Sequence, residues 1–243
     1  GIDVQSVGEK PYKSTIQTAY ENGEIPTTSI TTTASDIGLR IFPEAHVYSG
    51  PLISSHIGSD ISADLLAISM DEEETPVMLV DIGTNTEVVI GNKHKMVTAS
   101  CPAGPAFEGG EITYGMPGYD GAVESVTINK NYSVNSKTIG NKEIIGICGS
   151  GLVDLLAELR KNEIMSPLGV LANSAEYFRF SEKEEMDLFR SDISALAQAK
   201  SANYSGQYIA LRHYGKPLEG IGTMFLAGGF ANYIDIENAK NIG

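Results

Sequence analysis

Apolar residues along this chain come in short blocks rather than long stripes. The clearest is Val77-Met78-Leu79-Val80 running into Asp81, the pattern of a strand buried on both faces. Glu87–Ile90 and His94–Ser100 follow at hairpin spacing, so a β-meander is predicted over this region. Further strands are expected at Ala45–Tyr48, across a hairpin of Ala122–Ile128 and Tyr132–Ile139, at Glu143–Cys148 and at Thr223–Leu226. Thr27–Thr33 is hydroxyl-rich and extended, and Pro51–His56 reads as strand or turn. Helical spacing is strongest at Leu152, Leu155, Leu156 and Leu159, within a helix predicted from Leu152 to Asn162. Other helices are predicted at Ile61–Ser69, capped by Ser59 or Asp60, from Gly104-Pro105 onward, at Ile193–Arg212, and from Asp235 or Ile236 to Lys240. Strands first, then helices mixed with strands, is the order of an α/β layered fold with a mixed sheet.

Charge narrows the function. The chain has 243 residues with 17 basic and 31 acidic side chains, a formal net charge of −14. Such a chain repels nucleic-acid backbones and anionic membranes, so neither is expected as a partner. Any nucleotide must then be held locally, by backbone amides and a cation. Asp71-Glu72-Glu73-Glu74 reads as a solvated loop. Two cysteines, Cys101 and Cys148, are too few for a disulfide scaffold and fit a reducing, cytoplasmic setting. The four histidines lack zinc-ligand spacing, and neither a Gly-x-Ser-x-Gly elbow nor a Walker lysine loop occurs.

Four segments could carry chemistry. In the first, the buried strand ends on Asp81, turns through Gly83-Thr84-Asn85 and returns as a strand. Gly83 lets backbone approach an anion, Thr84 and Asn85 offer polar groups to phosphate, and Asp81 can hold Mg²⁺ through its water shell. An ordinary polar hairpin explains the same letters. The second, Phe225–Phe230, feeds a strand into Gly228-Gly229, which suits backbone laid flat against a planar ligand or a simple strand-to-helix turn. The third, Gly149-Ser150-Gly151 before a helix, suits either an anion or ribose site or close helix–strand packing. The fourth, Cys101–Glu111, carries Glu108 and a cysteine that is either buried or reactive.

Taken together, Asp81–Glu87, Ala103–Gly109, Gly146–Leu152 and Leu226–Phe230, with His56–Ile61, resemble the actin/Hsp70/sugar-kinase ATPases, and among them the reductive activators of corrinoid proteins. The resemblance implies an actin-like, ribonuclease H-like fold, of which this chain would be the C-terminal part. Residues 1–75 would link to a first half of the ATPase, and 76–243 would form the nucleotide-binding lobe, with a hairpin inserted near 122–140. It implies ATP and Mg²⁺ as ligands, and a 2Fe–2S cluster in a separate N-terminal domain, since no four-cysteine motif is present here. The partner would be a corrinoid protein or corrinoid methyltransferase returned from cob(II)alamin to Co(I), with a homodimer as one possible assembly. ATP turnover would need the larger protein, these residues alone being inactive. Gly83, Thr84 and Asn85 would contact phosphates, Gly149, Ser150 and Gly151 line the cleft, and Gly228, Gly229 and Phe230 frame adenosine. Asp81 would hold Mg²⁺, and Asp60 or Glu108 orient a water. A related group, activators of 2-hydroxyacyl-CoA dehydratases, uses a cysteine near the position of Cys101 to hold a shared 4Fe–4S cluster. A sugar-kinase-like phosphotransferase and a non-catalytic docking domain are the other readings.

Overall fold

The computed structural model describes residues 16–54, 56–229 and 231–243. A short helix α1 (Ile16–Glu21) precedes an antiparallel hairpin of β1 (Ile30–Thr33) and β2 (His46–Ser49), and then α2 (Ser59–Ala67). The meander follows as β3 (Val77–Ile82), β4 (Thr86–Asn92) and β5 (Lys95–Cys101). A second sheet contains β6 (Ala122–Ile128), β7 (Val134–Thr138) and β8 (Gly146–Ile147), and leads into α3 (Gly149–Lys161). A hairpin of β9 (Tyr177–Ser181) and β10 (Met186–Phe189) feeds the long α4 (Arg190–Tyr214). The chain then enters β11 (Thr223–Ala227) and ends in α5 (Ile236–Ile242).

The sheet that matters for function has the order β11-β3-β4-β5. Its three meander strands are antiparallel, while β11 runs parallel to β3, from Thr223 beside Val77 to Ala227 beside Asp81. Strand alternation divides the apolar block between two layers. Val77, Leu79 and Val89 pack with Ile57 and Ile61 on the α2 side. Met78, Val80, Val88 and Ile90 pack with Ala210 of α4 on the other. The expected mixed sheet flanked by helices is therefore present.

The largest core forms around α3, whose residues from Gly149 to Leu159 are all buried. Two acidic side chains on this buried helix have structural work. Asp154 accepts the Val126 amide at 3.2 Å and Glu158 accepts the Ile128 amide at 2.8 Å. Spaced one helical turn apart, they satisfy the β6 edge where β8 has ended and the chain has turned into α3. Burial alone would raise the Glu158 carboxyl, but hydrogen bonds from Lys161, Ile128 and Asn162 outweigh it and lower its pKa. Its contribution to stability is therefore present above the unfolded carboxyl range and lost as pH falls through the folded value.

At the start of α4, the buried Asp192 accepts from the Thr113 amide and hydroxyl at 3.0 Å each, and from the Phe189 amide at 2.9 Å. Asp192→Ala strands these donors and is expected to destabilise the fold by about 3 kcal/mol, read by urea denaturation. Gly215, at φ 86°, closes the other end, its amide reaching Leu211 O.

Several local expectations change. Gly104-Pro105 begins only a 3-10 turn, Ala106–Glu108, because Gly104 (φ 80°) and Gly109 (φ 86°) bracket a single turn in left-handed backbone. The strand expected at Glu143–Cys148 is reduced to Gly146–Ile147, since its parallel partner β6 begins only at Ala122, opposite Gly146, and α3 starts at Gly149 rather than Leu152. Neither Ser59 nor Asp60 caps α2; Gly58 is the cap residue, and Asp60 Oδ1 accepts from the adjacent Ile61 amide at 2.8 Å. Phe230 lies outside the described residues.

Candidate functional site

The β3–β4 turn is short and closed by its own backbone. Ile82 pairs with Thr86, and the Gly83 amide donates to Asn85 O at 3.0 Å. A Cβ on Gly83 would come within 3.3 Å of that same oxygen. Glycine thus lets the turn close tightly, and the Gly83 amide is spent on closing it. Among the described residues, the amides of Thr84 and Asn85 have no acceptor, and both residues are exposed. Two adjacent outward amides at a turn suit a phosphate oxygen.

The second glycine segment sits beside this turn. Gly228 follows Ala227, the partner of Asp81, and has φ 104°. A Cβ there would stand 2.2 Å from Ile82 O, so only glycine lets β11 leave the sheet at this point. Gly229 has nothing within 4 Å of a built Cβ, so its side faces open space. The hairpin and the Gly-Gly pair therefore meet outside the carboxyl ends of two adjacent parallel strands, where open α/β sheets bind ligands.

Carboxylates gather beneath the turn. Asp81 stands directly opposite Glu87 across the β3–β4 ladder, on the face covered by α2. Asp60 and Asp64 lie one helical turn apart on α2 and act on Asp81 electrostatically. Burial, then Asp64, Glu87 and Asp60, push the Asp81 carboxyl up to about 6. Burial also raises Glu87, even though the Ser100 hydroxyl donates to its Oε1 at 2.9 Å. Like charges directly opposite in a ladder destabilise a sheet, and perturbed carboxyls cluster at functional sites. Among the described residues no three His, Cys, Asp or Glu side chains are placed to hold a metal directly.

Glu108 joins the same corner from the other side. Its carboxylate accepts the Thr84 hydroxyl, and the Gly104 amide donates to Thr84 O at 2.8 Å. Asp60, Asp81, Gly83, Thr84, Asn85, Glu108, Gly228 and Gly229 are thus brought to one end of the sheet. The Gly149-Ser150-Gly151 segment is buried in the first turn of α3. There the Ser150 hydroxyl donates to Glu124 O at 2.9 Å, and a Cβ on Gly151 would stand 2.2 Å from Val123 O. Its side-chain groups serve packing, which leaves only backbone to meet a ligand. Glu87, Asp64 and Ser100 escaped the sequence reading. With the turn centred on Thr84, Asp81 and Glu87 are equidistant from it, and Asp60 and Asp64 share a helix face, so both signals were in the spacing.

Both cysteines are buried. The Cys101 sulfur packs on Gly206, where a Cβ would stand 2.0 Å from it, and burial, with Glu87, raises the thiol pKa. Among the described residues, no helix is long and apolar enough to cross a membrane.

Comparison with known proteins gives the family. The family model described as the C-terminal domain of RACo, the ASKHA domain, matches residues 75–243, and the RACo middle region matches 1–73. The chain is 32% identical over 232 residues to the corrinoid activation enzyme RamQ of Eubacterium limosum, covering 86% of this chain and 39% of that protein. It is 22% identical over 236 residues to the Co(II) methylated amine-specific corrinoid protein reductase of Methanosarcina barkeri, covering 84% and 43%. Among solved structures, a reductive activator for corrinoid, iron-sulfur protein superposes with a TM-score of 0.81 at 34% identity, over 88% of this chain and 37% of that one. The chain spans about two fifths of the length of the relatives it matches.

Proposed function

Because this chain belongs to the RACo family, matching its middle region and its C-terminal ASKHA domain, we propose that it is the nucleotide-binding part of an ATP-dependent reductive activator. The longer protein would return the cob(II)alamin of a corrinoid protein or corrinoid methyltransferase to Co(I). The observation that carries this reading is the meeting of Gly228 with Ile82 at the ends of two parallel strands, which sets an open glycine beside the Asp81–Asn85 turn.

In this reading the Thr84 and Asn85 amides hold phosphate, and the open side of Gly229 receives the base or ribose. Asp81 holds hydrated Mg²⁺, with Glu87, Asp60 and Asp64 deepening the negative field. The ion, when bound, neutralises phosphate charge. Backbone at Gly149–Gly151 would line the cleft, and Asp60 or Glu108 would orient a water. A second phosphate hairpin and the 2Fe–2S electron carrier would belong to parts of the longer protein outside these 243 residues. Turnover would require those parts, whereas nucleotide binding would not. A cytoplasmic setting and a homodimer are further parts of the proposal.

The test is spectroscopic. With the longer protein, a low-potential reductant and a corrinoid protein, the cob(II)alamin band should give way to the Co(I) band only with Mg-ATP. Equal reduction without nucleotide would remove ATP from the function.

A further inference from the structure

The nucleotide reading leaves the bond between Thr84 and Glu108 without a role. Thr84 sits at the tip of the turn and has one hydroxyl proton, which it gives to the Glu108 carboxylate. A phosphate arriving at the turn can only accept, so it competes with that carboxylate for the same donor. The two partners differ in freedom. Glu108 ends a turn that is locked from behind: a Cβ on Gly109 would stand 2.4 Å from Met116 N, and one on Gly110 2.6 Å from Pro105 Cβ. Ala106 and Phe107 of the same turn are buried in the core shared with α3. The backbone that carries Glu108 is therefore fixed although its side chain is exposed, and rotation of the Thr84 hydroxyl alone is enough to pass its proton from the carboxylate to a phosphate.

We propose that Glu108 acts as a clasp on the phosphate turn, which bound phosphate opens by taking the Thr84 hydroxyl as its own donor. In the nucleotide-free protein the clasp holds the turn to the 104–108 loop at two points, the hydroxyl and the Gly104 amide. In the bound state the hydroxyl turns to phosphate, and Glu108 is left unpaired beside it, available to a water or to another side chain. Glu108 is then a positioning residue whose charge opposes binding. A group that merely supported the turn would favour binding.

This inference rests on the nucleotide reading, and the experiment separates the two. Mg-ATP and Mg-ADP are titrated by calorimetry into wild-type protein, Glu108→Gln, Thr84→Val and the double variant. Glutamine keeps the shape and a weaker, neutral acceptor, so Glu108→Gln should bind both nucleotides about tenfold more tightly. The gain should shrink in the Thr84→Val background, where there is no hydroxyl to compete for. Glu108→Ala, which removes the acceptor altogether, should tighten binding as well. Unchanged or weaker binding by Glu108→Gln, with normal wild-type binding, overturns the clasp and leaves the nucleotide site standing. Absence of Mg-nucleotide binding by wild-type protein overturns both.

Discussion

Asp81→Asn is expected to make the nucleotide-free protein more stable and the Mg-nucleotide complex weaker. The stability gain follows from the like-charge pair. Asp81 faces Glu87 across the ladder and feels Asp60 and Asp64 from α2, and its carboxyl is pushed up to about 6. At pH 7 the folded protein therefore holds an ionised carboxylate that its surroundings disfavour. Removing it should gain about 1 kcal/mol, after discounting for solvent at a half-buried site. In a domain of this size that raises Tm by about 2–4 °C, measurable by thermal denaturation. In the proposed reading the same substitution removes the group that would orient hydrated Mg²⁺, and it should weaken Mg-nucleotide binding about 10- to 100-fold. pH should act in the same sense. A raised folded pKa means that the folded state binds more protons than the unfolded between about 4 and 6, so Asp81's contribution to stability falls as pH rises through that window. Mg²⁺ needs the ionised form, so nucleotide affinity should drop as pH falls below about 6.

The second large effect belongs to the adjacent glycines, which should respond in opposite ways. Gly228→Ala forces a side chain into a backbone with φ 104° and sets its Cβ against Ile82 O. Either β11 moves off β3 or the turn shifts, at a cost of about 3–5 kcal/mol. Thermal unfolding should shift sharply downward, and nucleotide binding should go with it. Gly229→Ala meets nothing in the nucleotide-free protein and should leave the unfolding free energy within about 0.5 kcal/mol of wild type. Gly229→Leu should also fold but fill the open side, so its loss should appear only in the nucleotide titration.

Much of this corner was legible in the sequence. The apolar block ending in Asp81 and the glycine-bearing turn fixed the β3–β4–β5 meander, because a strand buried on both faces has few alternatives. The Gly-Gly segment after a short apolar strand pointed to the same site from far along the chain. What could not be read was pairing. Nothing local says that β11 lies parallel to β3 with Ala227 beside Asp81, or that α2 covers Asp81 and Glu87. The run after Gly104-Pro105 looked helical, yet its glycines at φ 80° and 86° allow only one turn. The β9–β10 hairpin was missed although Tyr177–Phe180 and Met186–Phe189 alternate around a charged turn, and the Arg179–Asp187 ion pair ties its strands. Gly149-Ser150-Gly151 carried two meanings, and for Gly151 tight packing on Val123 accounts for the glycine.

In the proposed reading the Asp81–Asn85 turn binds nucleotide through a magnesium ion. This is tested most directly by titrating ATP into this protein with and without Mg²⁺, in parallel with Asp81→Asn. The wild type should show saturable, Mg²⁺-dependent binding, and Asp81→Asn should bind about 10- to 100-fold more weakly. Binding indifferent to both Mg²⁺ and Asp81, or no binding at all, would contradict that reading.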